Sequence, residues 1–142
     1  MTKPQLCVTV TAPTTAELRR RRDAVQDADL IELRLDSVAD PDVAAALSGR
    51  RRPVIITCRP SWEGGAFTGS EEERKRLLAS ALEQDAEYVD LEWRAHFDDL
   101  IARRGGRSQG KGNNPGNFAN DRDKARRAGK KGGQSSGRRA NA

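Results

Sequence analysis

Val54-Ile55-Ile56-Thr57-Cys58-Arg59, running on into Pro60-Ser61-Trp62-Glu63-Gly64-Gly65, is the stretch on which the fold turns. A short β-branched apolar run that ends on an arginine and opens into a glycine turn reads as a buried parallel strand delivering charge at its carboxyl end. Leu30-Ile31-Glu32-Leu33-Arg34-Leu35-Asp36 repeats the pattern one unit earlier. Outward from these two, Gln5–Ala12 alternates Leu6, Val8 and Val10 against Cys7, Thr9 and Thr11, and Tyr88–Trp93 supplies a fourth strand.

Helical signals fill the gaps. Pro13-Thr14-Thr15 offers a cap for a helix reaching towards Gln26. Its block Arg19–Arg22 fans around most of a turn and reads as a solvated face. Asp40-Pro41-Asp42 opens a second helix, Val43–Leu47, with proline suited to the first turn. Ser70-Glu71-Glu72-Glu73 forms a capping box ahead of an apolar stripe of Leu77, Leu78, Ala81 and Leu82. A fourth helix, His96–Arg103, is expected to bury Phe97, Leu100 and Ile101.

Residues 1–104 therefore read βαβαβαβα, an α/β parallel sheet with right-handed crossovers. Period two places Ile31, Leu33 and Leu35 on one face, against Glu32, Arg34 and Asp36 on the other. Arg59 shares a face with Ile55 and Thr57, and Asp90 and Glu92 oppose Val89, Leu91 and Trp93. An open sheet with helices on both sides would bury such charges at several kcal/mol each. A partial (β/α) barrel of about four units avoids that cost, since its helices cover the outer face only. Active sites of barrels lie at the carboxyl ends of strands, where Arg34, Arg59 and Glu63 fall. An antiparallel sheet with one wet face would alternate similarly, but the intervening helices argue against it.

Two arginines near strand ends suit an anionic, polyhydroxylated ligand, because the guanidinium fork matches a carboxylate. Glu32 and Glu63 would pair with them or accept from ligand hydroxyls, and the Gly64-Gly65 turn admits a close backbone approach. An internal layer of ion pairs fits the same residues. No Gly-Lys-Ser/Thr follows, so the turn is not a phosphate loop.

Charge divides the chain. The ten Lys/Arg and two Asp of residues 105–142 contribute +8, leaving −3 for residues 1–104 out of the formal +5. Cys7 and Cys58 both lie in strand-like runs and read as buried free thiols of a reducing compartment. Neither their spacing nor the single histidine suggests a metal site, and no cofactor is called for. Without a leader core near Met1, or an apolar run approaching the roughly 20 residues that span a bilayer, the expectation is a cytoplasmic protein with no membrane contact.

Ile31–Asp36, Ile56–Arg59, Glu63-Gly64-Gly65 and Tyr88–Glu92 resemble, in order and separation, the amino-terminal half of type I 3-dehydroquinate dehydratase, over residues 5–104. The resemblance implies a (β/α)₈ barrel lyase of the shikimate pathway, which dehydrates 3-dehydroquinate. By it Glu32, Arg34, Arg59 and Glu63 match substrate-binding positions. The family's Schiff-base lysine and proton-moving histidine lie on later strands. None of Lys3, Lys75, Lys111, Lys124, Lys130 and Lys131 sits in a strand run, and His96 falls at a helix start. The expectation is a truncated form with no catalytic residue of its own, binding a 3-dehydroquinate-like ligand weakly. Unpaired edges of the first and fourth strands would favour a homodimer or a complementing half-barrel.

From Gly105 the sequence turns to Gly, Asn, Ser, Lys and Arg, and no core can form from it. Gly116–Asp121 and Ala128–Gln134 resemble the KGG-motif family of bacterial stress-induced proteins, over residues 112–137. The expectation is a second segment, 105–142, mostly disordered. The alternative to the lyase reading is a stress-related protein whose basic tail holds nucleic acid or other polyanions non-specifically, with affinity falling as salt rises. The join falls where a fifth strand is due, as in a fusion or a rearranged reading frame.

Overall fold

The computed structural model describes residues 3–107, with side chains to residue 103. Of the expected tail, residues 105–107 continue the last helix instead, and residues 108–142 lie outside the described residues. A compact unit spans Met1–Leu100; of the second unit, Ile101–Ala142, the continuation of the last helix is described.

The elements run β1 (Cys7–Val10), α1 (Thr15–Ala24), β2 (Leu30–Arg34), α2 (Val43–Leu47), β3 (Val54–Thr57), α3 (Glu71–Glu83), β4 (Tyr88–Val89) and α4 (Asp98–Arg107). Two 3₁₀ turns, Ser61–Glu63 and Trp93–Ala95, follow β3 and β4. The sheet order is β1-β2-β3-β4, and every pair is parallel. An antiparallel meander is thereby excluded. Register pairs Thr9 with Glu32, Glu32 with Ile55, Arg34 with Thr57 and Ile55 with Tyr88, so the polar positions form continuous rows across the sheet.

The opposite rows form the core. Val10, Ile31, Leu33, Leu35, Val54, Ile56 and Cys58 meet Leu18 of α1, Ala46 and Leu47 of α2, and Leu78 and Ala81 of α3 in one buried cluster. Each fully buried Leu or Ile contributes about 1.5–3 kcal/mol. Helices thus cover one face, as in a segment of a barrel wall.

Local signals behave largely as read. Thr14 Oγ1 accepts from the Glu17 amide at 3.3 Å. Ser70 and Glu73 complete a reciprocal box, with Ser70 N–H donating to Glu73 at 2.8 Å and Glu73 N–H donating to Ser70 Oγ at 3.2 Å. Asp42 caps α2 through the Ala45 amide at 2.9 Å, which puts Pro41 before the cap and outside the first turn.

Five expectations fail for identifiable reasons. Cys7 is exposed, because it lies on the uncovered polar face of an edge strand. Within the arginine block Arg20 and Arg21 do face solvent, paired with Glu17, but Arg22 is buried and donates to the Ala46 and Ser48 carbonyls at 2.5 and 2.9 Å. It supplies donors to the carboxyl end of α2, where carbonyls lack helical partners. The fourth strand ends at Val89, so Trp93 enters a 3₁₀ turn and is 90 % exposed. For the same reason Glu92 leaves the charged face and pairs with Arg74 of α3 at 2.5 Å. Phe97 and Leu100 are buried, whereas Ile101 is 53 % exposed.

Candidate functional site

Past the end of β2, Asp36 turns its carboxylate back on Arg34. Arg34 donates from Nε to Oδ1 and from Nη2 to Oδ2, both at 2.8 Å, and only 2 % of the Asp36 side chain reaches solvent. Oδ2 also accepts from the Ala66 amide at 3.0 Å, which fastens the β3–α3 loop to β2. Burial alone would raise the Asp36 pKa. The Arg34 fork and the backbone N–H groups of Ala66 and Arg59 outweigh it and hold the carboxyl below its ordinary value. Arg34 is correspondingly raised, chiefly by its bonds to Asp36, with Glu32 and Asp90 adding to the field it feels.

Two residues past the end of β3, Arg59 donates from Nη2 to Asp90 Oδ2 at 2.7 Å, each side chain about a third exposed. Asp90 is itself held in register by donating its amide to the Ile56 carbonyl at 2.9 Å. Deeper on the polar face, Glu32 accepts from Thr9 Oγ1 at 2.6 Å. Glu63 stands exposed on the first 3₁₀ turn. Gly64 follows with φ at 77°, a conformation that favours glycine. Gly65 needs its missing side chain for another reason: a Cβ there would lie 2.1 Å from the Arg59 carbonyl oxygen. The turn is folded onto the strand that carries Arg59.

Arg34, Asp36, Gly64 and Gly65 line one open cleft of about 550 Å³. Of the four positions picked from sequence, Arg34 lines that cleft, Arg59 lies just past the end of β3, Glu32 lies further down the polar face, and Glu63 is exposed on the 3₁₀ turn before Gly64. The expected Glu–Arg pairings do not form. The arginines' partners are Asp36 and Asp90, both on the charged rows but not singled out, since the choice of partner depends on strand register and loop path. Arg74, wholly buried, was also missed; its position four before Leu78 on the α3 stripe was the signal.

A smaller cavity of about 310 Å³ opens at the other ends of the strands among Arg22, Arg50, Arg51 and Arg52. Its guanidinium groups are largely committed: Arg22 as above, Arg52 to the Ala28 and Gln26 carbonyls, and Arg50 to Glu87 at 3.0 Å. These arginines tie loop and helix ends together, and the carboxyl-end cleft is the better candidate site. Among the described residues no group of three His, Cys, Asp or Glu could hold a metal ion, and no helix is long and apolar enough to cross a membrane.

Comparison with known proteins agrees with the fold. The family described as type I 3-dehydroquinase matches residues 6–109, and the stress-induced bacterial acidophilic repeat motif matches residues 117–137. The chain is 38 % identical over 91 residues to a 3-dehydroquinate dehydratase of Desulfotalea psychrophila, covering 64 % of this chain and 40 % of that protein. It is 36 % identical over 106 residues to the enzyme of the same name from Dehalococcoides mccartyi, covering 72 % and 45 %. With the bifunctional 3-dehydroquinate dehydratase/shikimate dehydrogenase of Arabidopsis thaliana it shares 41 % over 69 residues, which is 46 % of this chain and 11 % of the relative. The chain spans less than half the length of each of these curated relatives. With four parallel βα units in place and the family matched over most of its length, the chain belongs to the type I 3-dehydroquinase family.

Proposed function

We propose that residues 1–104 form the substrate-binding half of a 3-dehydroquinate dehydratase, with Arg59 and Arg34 receiving the ligand carboxylate and Glu32 and Glu63 its hydroxyls. The observation that carries this reading is the pair of arginine–carboxylate contacts, Arg34–Asp36 and Arg59–Asp90, just past the carboxyl ends of adjacent parallel strands. The first lies in the cleft with Gly64 and Gly65, and the second is near enough for Asp90 to add to the field at Arg34. The relatives' names supply the substrate class.

Binding is the role these residues suit; imine chemistry is not. A Schiff-base lysine must be desolvated to be nucleophilic near neutrality. Lys75 lies on α3 in an ion pair with Asp99 at 2.9 Å, Lys3 is exposed ahead of β1, and His96 is exposed before α4. Turnover therefore requires an amine from outside residues 1–104, supplied by a complementing half-barrel. Both cysteines are free thiols, in keeping with a reducing, cytoplasmic setting.

Calorimetry with millimolar quinate should give heat that Arg59→Ala abolishes, and borohydride should trap no imine on this chain alone with 3-dehydroquinate. Absence of heat, or a trapped imine, would overturn the reading. For residues 105–142 the +8 charge favours non-specific polyanion contact. Retention on heparin at low salt should disappear when they are removed; unchanged retention would refute it.

A further inference from the structure

Arg74 is the largest wholly buried side chain among the described residues, and its place is an unfavourable one. It sits in the first turn of α3, where the helix dipole disfavours a cation. A buried charge there needs compensation, and it is supplied from several directions. Nε and Nη2 fork onto Glu71 at 3.1 and 2.8 Å. Nη1 donates to the Cys58 carbonyl at 3.1 Å and to Glu92 Oε2 at 2.5 Å. The guanidinium carbon lies 4.9 Å from the Phe97 ring centre and 6.0 Å from that of Trp62.

Two of these contacts stand out by where they lie. Cys58 immediately precedes Arg59, and Glu92 comes two residues after Asp90. One guanidinium nitrogen thus holds the backbone just before one member of the Arg59–Asp90 pair and the side chain just after the other. β4 has only two residues in the ladder, so beyond Asp90 the path is held by side-chain packing and by the Glu92 contact rather than by strand pairing. We infer that Arg74 is a positioning residue, which sets the separation of Arg59 and Asp90 and through it the geometry with which Arg59 meets a carboxylate. A lysine could keep the charge but could not reach Glu71, the Cys58 carbonyl and Glu92 together.

This inference rests on the binding reading above, and its test keeps the two apart. In the full chain the Arg59 side-chain Nε–H resonance, identified by its loss in Arg59→Lys, reports the pair without any ligand. Arg74→Lys and the milder Glu92→Gln should each move that resonance while methyl signals of Leu33 and Ile56 stay in place. Either variant should also weaken quinate binding by about tenfold, the scale of one misaligned charged hydrogen bond. An unmoved Arg59 resonance in folded Glu92→Gln and Arg74→Lys would show that Arg74 merely fills space; if Arg74→Lys fails to fold, Glu92→Gln alone decides. Absence of quinate heat in the unaltered chain would count against the binding reading, while the resonance still judges Arg74.

Discussion

Replacing Asp36 by asparagine tests the site at the group that ties its parts together. The side chain is 2 % exposed and accepts hydrogen bonds from Arg34, twice, and from the Ala66 amide, with the Arg59 backbone N–H adding to them. Asparagine keeps the shape but turns an N–H group towards other N–H donors and leaves the Arg34 charge without its partner. Removing one member of a buried pair costs about 3–5 kcal/mol. Arg34 retains 23 % exposure and can rehydrate in part, so about 2–3 kcal/mol is expected here. For a domain of this size that lowers Tm by roughly 10–20 °C, read by far-UV circular dichroism at pH 7. Arg34→Met added to Asp36→Asn should restore about 1–2 kcal/mol relative to additivity, because the stranded charge is gone. Proton linkage gives an independent check. The folded carboxyl lies below its ordinary 3.8, so its contribution is present above that value and is lost as pH falls through the lower folded pKa. The gap between the parent and Asp36→Asn should therefore close in the acid range below 3.8. A Tm drop under about 3 °C, or a gap that stays constant into acid, would refute the account of Asp36 as the tie between β2 and the glycine turn.

Thiol titration under native conditions should report Cys7 promptly and Cys58 only after unfolding, since Cys58 is buried and its pKa is pushed up to about 12, chiefly by burial. Gly65→Ala should lower the urea midpoint more than Gly64→Ala: the first drives a methyl into the Arg59 carbonyl, while the second meets open space and costs only the ~1 kcal/mol of a positive φ. Ser70→Ala should destabilise by ~1 kcal/mol through loss of the cap, and an unchanged midpoint would sink that reading. Arg59→Ala should lose more quinate affinity than stability and Arg34→Ala the reverse; equal effects on both measures would contradict the division of labour between them.

The sheet and its polarity were legible because period-two alternation is a local signal, carried without ambiguity by Ile31, Leu33 and Leu35 against Glu32 and Arg34. The Ser70 box was legible because its partners lie three residues apart. Partners separated by a strand crossing were not. Arg34 faces two candidate carboxylates on its own strand, and only the path after β2 makes Asp36 the one that turns back. Glu92 obeys the alternation in sequence yet leaves the face, because β4 stops at Val89. Arg22 and Arg74 show the opposite limit. A run of charge such as Arg19–Arg22 reads as a solvated face, although a guanidinium can be buried when carbonyl or carboxylate partners from other elements complete its donors.

Arg34 and Arg59 differ in how many of their donors are already taken. Arg34 gives both Nε and Nη2 to a carboxylate hidden from solvent, so a ligand competes there against a pair sheltered from screening. Arg59 gives Asp90 one bond, in a pair about a third exposed, and its buried Nε has no partner among the described residues. In the proposed site an incoming carboxylate would share Arg59 with the partly exposed Asp90, and would share Arg34 with the buried Asp36. On the proposed binding reading, the layer of ion pairs and the ligand site are two uses of one row of charges: Arg34 meets the ligand while held by Asp36, and Arg59, with fewer donors committed, meets it more freely.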